Sequence, residues 1–179
     1  MKLDKLITLR GKLKKSDQLL RITKIIENFD LAKSAYEIFK EYRNMWVKDM
    51  KEEYELKSIA ALQCLYLCGR VCLYITEGIN KQIKTQEINP IRTNYKEWVK
   101  KFIDFRNDFG SHSLNEKNKY YSEIAMFGNL VPNLKVENHY IDSLKIAKSY
   151  EVNPTEDINN LFNYLEELAD IYEKQWARI

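Results

Sequence analysis

Apolar residues recur every three or four positions along most of this chain, with charged and polar residues between them. That spacing matches the turn of an α-helix and differs from the strict alternation of a strand. Five glycines and three prolines are few, and no Pro/Gly/Ser-rich stretch divides the 179 residues. The sequence therefore predicts an all-α fold, a single-domain up-and-down helical bundle of about five to six helices over residues 1–179.

Three helices are expected in the first half of the chain. A basic amphipathic segment occupies about residues 2–28, with a break near Gly11. Asp30 is a candidate cap for a second helix that continues to about Met50. A third helix is predicted from about Tyr54 to Lys81.

The third helix contains the most apolar stretch of the sequence, Ile59 to Ile75. Gln63 and Arg70 interrupt it, and it falls short of the roughly 18 uninterrupted apolar residues of a membrane-spanning helix. We interpret it as the central helix of the bundle and expect no membrane association. Arg70 is expected to extend its charged end to solvent or to meet a carboxylate.

The second half of the chain is less regular. Asn89-Pro90 predicts a loop, and Asn94 is a candidate cap for a helix that carries Phe102 and Phe105. A helix is also expected for Tyr120 to Met126. Residues 134–152 fit either short extended pieces or another helix.

The start of the last helix is well marked. Asn153 can serve as its cap, Pro154 suits the first helical position, and Glu156 stands three residues after the cap. This helix is expected to continue towards Trp176.

The three cysteines, Cys64, Cys68 and Cys72, are spaced four residues apart and form one stripe on a helix. A rigid helix cannot readily wrap three thiolates round one tetrahedral ion, so the pattern favours a buried core stripe over a metal or redox site. The odd number and the lack of a recognisable signal peptide predict a reducing, cytoplasmic location. No cofactor motif is recognisable, and neither a metal nor another cofactor is expected.

Charge is distributed unevenly along the sequence. Residues 1–24 carry eight Lys/Arg against two Asp, whereas residues 151–173 carry seven Asp/Glu and no basic residue. Two interpretations are open: the terminal segments are neighbours with complementary charges, or the basic segment attracts nucleic-acid phosphates.

Candidate chemistry is concentrated in residues 102–112, where Arg106, Asn107 and His112 occur within seven positions. Arginine binds phosphate through a bidentate fork, and histidine exchanges protons near neutral pH. On a continuous helix, residues six apart point about 120° away from each other. A helix break, for which Gly110 is suited, or a second copy of the chain is needed to bring them together. Alternatively, Arg106 merely complements a helix C-terminus and His112 is an ordinary loop residue.

An arginine, a polar residue and a following histidine, at the end of an aromatic-rich helix in a small helical protein, resemble the HEPN superfamily. The resemblance implies a metal-independent endoribonuclease of a bacterial or archaeal toxin or defence system. His112 would then handle a proton of the ribose 2′-hydroxyl or of the leaving oxygen, Arg106 would stabilise charge on the phosphate, and Asn107 would orient one of them. The RNA 2′-hydroxyl would be the nucleophile.

The resemblance also implies partners, namely RNA, a second copy of the chain in a homodimer, and an antitoxin or other regulator. Lys96, Lys100 and Lys101 precede the motif and are candidate RNA-binding residues, although an exposed lysine row is often only a solvated face. Leu114 stands where toxins paired with a nucleotidyltransferase antitoxin carry a tyrosine. The alternative function is a non-catalytic helical module that binds RNA, a nucleotide or a partner protein.

Overall fold

The computed structural model describes residues 1–110, 114–115, 120–125, 134–140 and 146–176. Within those ranges the chain forms six α-helices, and these are α1 (Asp4–Lys12), α2 (Ser16–Asp49), α3 (Glu52–Ile83), α4 (Ile88–Asn94), α5 (Lys96–Phe105) and α6 (Pro154–Trp176). A π-helical turn, Arg106–Gly110, follows α5 directly. The same ranges contain four strands, which are β1 (Leu114–Asn115), β2 (Tyr120–Ala125), β3 (Leu134–Tyr140) and β4 (Ile146–Val152).

Helices dominate the fold, and the predicted helical bundle is confirmed. Its scaffold is the antiparallel pair α2 and α3, which are 34 and 32 residues long. The chain reverses between them at Met50, which adopts a left-handed conformation and donates its backbone N–H to the carbonyl of Trp46. The buried aromatic side chains of α3, α5 and α6 meet in the core beside this pair.

The structure divides the first fifty residues differently from the prediction. The break near Gly11 is present, since α1 ends at Lys12 and α2 begins at Ser16, but Asp30 lies inside α2 instead of capping a new helix. Buried apolar residues continue on one face of α2 through Phe29 and beyond, so the core-facing pattern runs on past this aspartate. Packing of that face outweighs the weak capping preference of a single aspartate.

Asn89-Pro90 lies in the first turn of α4 and does not form the predicted loop. Proline is tolerated there because the first turn of a helix has no intrahelical use for the missing N–H. Asn94 is the last residue of α4 rather than the cap of α5, and Tyr95 joins the two helices.

The strands form one antiparallel sheet in the order β1-β2-β3-β4. The prediction of a helix at Tyr120 to Met126 was wrong for the described part, because Tyr120–Ala125 is β2 and pairs with β3, with Ile124 opposite Val136. The open alternative for residues 134–152 resolves to strands in its described parts, Leu134–Tyr140 (β3) and Ile146–Val152 (β4). A segment of six residues is too short for periodicity to distinguish strand from helix.

The sheet is covered on one side. Along β3, the alternate residues Leu134, Val136 and Asn138 are buried, whereas Lys135 is exposed. The pairing of Leu134 with Val152 extends the buried face into β4. The sheet therefore adds to the helical core without replacing it.

Helix α3 is central, as predicted. By length and composition alone it could cross a membrane, and half of its most apolar window is buried within the fold. Tyr66 is fully buried and lies against the aromatic rings of α5.

The cysteine stripe is only partly a core stripe. Cys72 is buried and donates to the Ile25 carbonyl at 3.4 Å, Cys68 is half-buried, and Cys64 is exposed. The positions drift around the helix because a spacing of four exceeds one turn of 3.6 residues.

Complementary charges join the two ends of the chain. Lys5 of α1 forms an ion pair with Asp170 of α6 at 2.7 Å, and Lys12 pairs with Glu173. The first interpretation of the terminal charge segments is therefore correct for these lysines, whose charges are directed at α6.

Candidate functional site

Helix α5 is strongly amphipathic, and its buried face fixes the start of the candidate site. Trp98, Phe102 and Phe105 are buried on that face. Phe102 lies directly over Gly69 of α3, where the glycine leaves room for its ring. This close approach of α3 and α5 sets the position of the turn that follows.

The π-helical turn begins at Arg106, the residue after Phe105, whose ring stacks on Tyr66. Arg106 and Asn107 are exposed, whereas Asp108 is 3% exposed. Single π-helical turns often occur at functional sites, since the wider turn alters where neighbouring side chains point. Here two exposed polar residues lie between two buried ones.

Asp108 anchors the turn to the sheet. Its Oδ2 accepts a hydrogen bond of 2.8 Å from the Tyr150 hydroxyl of β4. Lys148 Nζ lies 3.9 Å from the same oxygen and 3.3 Å from Oδ2 of Asp104. A buried carboxylate requires such partners, and the resulting contacts hold the turn between the sheet and α5.

The predicted pair Arg106 and Asn107 is brought together. Arg106 Nη1 donates to Asn107 Oδ1 at 3.1 Å, so the amide orients the guanidinium. Both side chains face solvent, where a phosphate can reach them. The third predicted residue, His112, lies outside the described residues.

The three predicted lysines do not share a surface. Lys96 and Lys100 line a cavity between α3 and α5, whose volume is about 350 Å³. Lys101 lies on another side of α5, where its charge offsets part of the rise that burial causes in the pKa of the Asp157 carboxyl. A spacing of four residues keeps Lys96 and Lys100 on one face, and a single residue turns Lys101 about 100° away.

We refer to this space as the α3–α5 cavity. Leu73, Val99 and Ile103 provide apolar surface in it, and Arg70 and Arg92 add positive charge. The sequence had marked Arg70 as an unexpected charge in an apolar helix, but nothing in the sequence related Arg92 to it.

The cavity lies along one side of α5. Its lining residues Lys96, Lys100 and Ile103 are three or four residues apart, which places them on one face of the helix. On α5 the lining ends at Ile103, three residues before Arg106 and the π-helical turn.

A second buried polar group, Asp157, acts on the π-helical turn through Tyr66, whose ring stacks on Phe105. Asp157 is fully buried and accepts a hydrogen bond from the hydroxyl of Tyr66, and its Oδ2 also accepts from the Asn153 backbone N–H at 3.2 Å. Burial raises the pKa of Asp157 above its ordinary value. The predicted cap is present, since Asn153 Oδ1 accepts a hydrogen bond of 3.1 Å from the Glu156 backbone N–H. The carboxylate that accepts from the Asn153 backbone N–H in return belongs to Asp157 and not to Glu156.

Comparisons with known proteins give no family for this chain. No family model, no curated protein and no solved structure matches it.

Proposed function

We propose that this chain is a metal-independent endoribonuclease of the HEPN type, acting in the cytoplasm as part of a bacterial or archaeal toxin or defence system. The observation that carries the proposal is the exposed Arg106–Asn107 pair, held on a π-helical turn between two buried anchors. His112 follows within six residues of Arg106.

The reaction uses the RNA as its own nucleophile. The 2′-oxygen forms a bond to phosphorus and loses its proton, while the bond from phosphorus to the 5′-oxygen breaks and that oxygen gains a proton. His112 takes or returns a proton in this exchange, and Arg106 stabilises the charge on the phosphate oxygens. The products carry a 2′,3′-cyclic phosphate and a 5′-hydroxyl, and DNA is not cleaved.

A homodimer belongs to the proposal, because a second copy supplies a second Arg106–His112 set. Support comes from exposed apolar side chains on the two scaffold helices, at seven-residue spacing on each. These are Leu31, Ile38 and Met45 on α2 and Leu67 and Tyr74 on α3.

Cleavage of a mixed-sequence RNA in excess EDTA tests the enzymatic proposal. Wild type is expected to yield cyclic-phosphate ends, and Arg106→Ala and His112→Ala are each expected to lose about 100-fold or more in rate. His139→Ala is the matched control, since it removes the other of the two histidines. Cleavage that persists in His112→Ala, or that disappears equally in His139→Ala, would contradict the assigned role.

Light scattering of wild type and of Leu31→Lys with Leu67→Lys tests the dimer. The wild type is expected to have twice the monomer mass and the double variant the monomer mass. A monomeric wild type would contradict the proposed dimer. The cleavage test would not be affected by that result. If a regulator such as an antitoxin occludes the site, activity is expected only after that partner is removed.

A further inference from the structure

Cys64 and Cys68 place two thiols side by side on α3. Their Sγ atoms lie 4.0 Å apart, because residues four apart on a helix are neighbours on successive turns. Cys64 is exposed, whereas Cys68 is half-buried and packs against the core. The fold therefore holds one thiol in place, while the other is open to solvent and can adjust to a ligand.

The separation of the two sulfurs suits an ion bound between them. With metal–thiolate bonds of about 2.3 Å, the length for zinc, two sulfurs lie about 3.8 Å apart at the tetrahedral angle and about 4.6 Å apart when they are opposed. The observed distance of 4.0 Å lies between these limits. A disulfide would instead require the sulfurs to approach by about 2 Å, to a bond of about 2.05 Å.

The third cysteine of the stripe does not belong to this pair. Cys72 is buried and donates to the Ile25 carbonyl of α2. Each step of four residues turns about 40° around a helix, so two steps carry Cys72 from the surface to the face that α2 covers. The difficulty of wrapping three thiolates of a rigid helix round one ion does not arise for two.

The surroundings of the pair favour a soft cation with few ligands. Residues 58–69 contain no charged side chain and no histidine. Among the residues that the structure describes, no group of three or more His, Cys, Asp or Glu side chains is placed to hold a metal. Zinc sites and iron–sulfur clusters commonly take three or four protein ligands, and Mg²⁺ and Ca²⁺ prefer oxygen. Cu(I) is selected by soft sulfur ligands and is stable with two thiolates.

We propose that Cys64 and Cys68 bind one Cu(I) ion as a two-coordinate thiolate site on the surface of α3. Each thiol releases its proton to solvent when its sulfur binds the ion, so two protons leave for each Cu(I) that enters. Copper remains Cu(I), and no electron is transferred. The site contains no residue of the Arg106–Asn107 pair, so it does not rest on the proposed function.

Titration of the reduced protein with Cu(I) under nitrogen, in competition with a chelator of known Cu(I) affinity, tests the site. Wild type is expected to bind one ion per chain and to gain thiolate-to-copper absorption in the ultraviolet. Cys64→Ser and Cys68→Ser are each expected to lower the affinity at least about 100-fold, because even losing a hydrogen-bond partner of a metal ligand costs up to about 100-fold. Cys64 is exposed, so its replacement by serine is expected to leave the fold intact.

Cys72→Ala is the matched control, since it removes the buried thiol and keeps the pair. The folded variant is expected to bind Cu(I) like wild type. Iodoacetamide provides a second measurement, because bound Cu(I) is expected to slow alkylation of Cys64. The inference is overturned if wild type binds no Cu(I) in the competition, if Cys64→Ser or Cys68→Ser binds like wild type, if folded Cys72→Ala loses as much affinity as Cys64→Ser, if copper leaves the alkylation of Cys64 unchanged, or if Zn²⁺ binds as tightly as Cu(I).

Discussion

Phe105 stacks against Tyr66 with their ring centroids 4.2 Å apart and an interplanar angle of 22°. Arg106 is the next residue, so the position of an exposed guanidinium is fixed by a contact in the core. Variants in the core and at the sheet therefore test how the site is held, and surface variants test what it binds.

Gly69→Ala is expected to destabilise the fold by about 1–3 kcal/mol, because the added Cβ would overlap the Phe102 ring. Gly78→Ala is the matched control on the same helix, since its Cβ would meet only the end of the Arg21 side chain, 3.2 Å away. That variant is expected to gain up to about 1 kcal/mol from helix propensity. Urea denaturation of both proteins measures the difference, and equal stabilities would contradict the close approach of α3 and α5.

Asp157→Asn is expected to become more stable relative to wild type as the pH rises. Burial raises the pKa of Asp157 above its ordinary value of 3.8, so folding favours the protonated carboxyl. Its contribution to stability is fully present below about pH 3.8 and is lost as the pH rises through the folded-state pKa. Unfolding free energies of both proteins, measured between about pH 3 and pH 7, test the sign. A difference that does not change with pH would be the contrary result.

Tyr150→Phe removes the hydroxyl that donates to Asp108. The buried carboxylate loses a hydrogen bond, and the expected loss of stability is about 1–3 kcal/mol. Because Asp108 anchors the π-helical turn, amide hydrogen exchange at Arg106 and Asn107 is expected to accelerate. Tyr74→Phe, at an exposed tyrosine of α3, serves as the control. Unchanged exchange in Tyr150→Phe would show that the sheet does not hold the turn.

Alkylation of the cysteines is expected to follow their burial. Cys64 is exposed and reacts first, whereas burial raises the pKa of the Cys68 thiol to about 11 and slows its reaction at neutral pH. Burial also raises the pKa of Cys72, which is expected to react only after unfolding. Mass spectrometry after iodoacetamide treatment, with and without urea, gives the order. Rapid native labelling of Cys72 would refute the packing of α3 against α2.

Lys100→Ala and Lys101→Ala are expected to differ although the residues are adjacent. Lys100 lines the α3–α5 cavity, whereas the Lys101 charge acts on Asp157. If the cavity contacts RNA, Lys100→Ala is expected to reduce the slope of log binding constant against log salt concentration by about one, the value for one lost phosphate contact. Lys101→Ala is expected to leave that dependence unchanged. Filter binding of uncleavable RNA at several salt concentrations compares the two variants. Equal slopes would contradict the assignment of Lys100, but not Lys101, to the RNA-contacting surface.

The sequence predicted what depends on repeated local spacing. The long third helix and the cap at Asn153 follow from periodicity and residue type, whereas the exposure of Arg106 and Asn107 depends on tertiary packing. It could not predict β2, because six residues suit either structure and pairing with β3 decided between them. It also could not relate Arg92 to Arg70, since a cavity between helices depends on tertiary packing.

Asp157 connects parts of the chain that are far apart in sequence. Its carboxylate closes the first turn of α6 at Asn153 and holds the hydroxyl of Tyr66, whose ring supports Phe105. The first turn of α6 is thus mechanically linked to a guanidinium about fifty residues earlier in the chain. A ligand or partner that distorts the start of α6 would shift Arg106 without touching it.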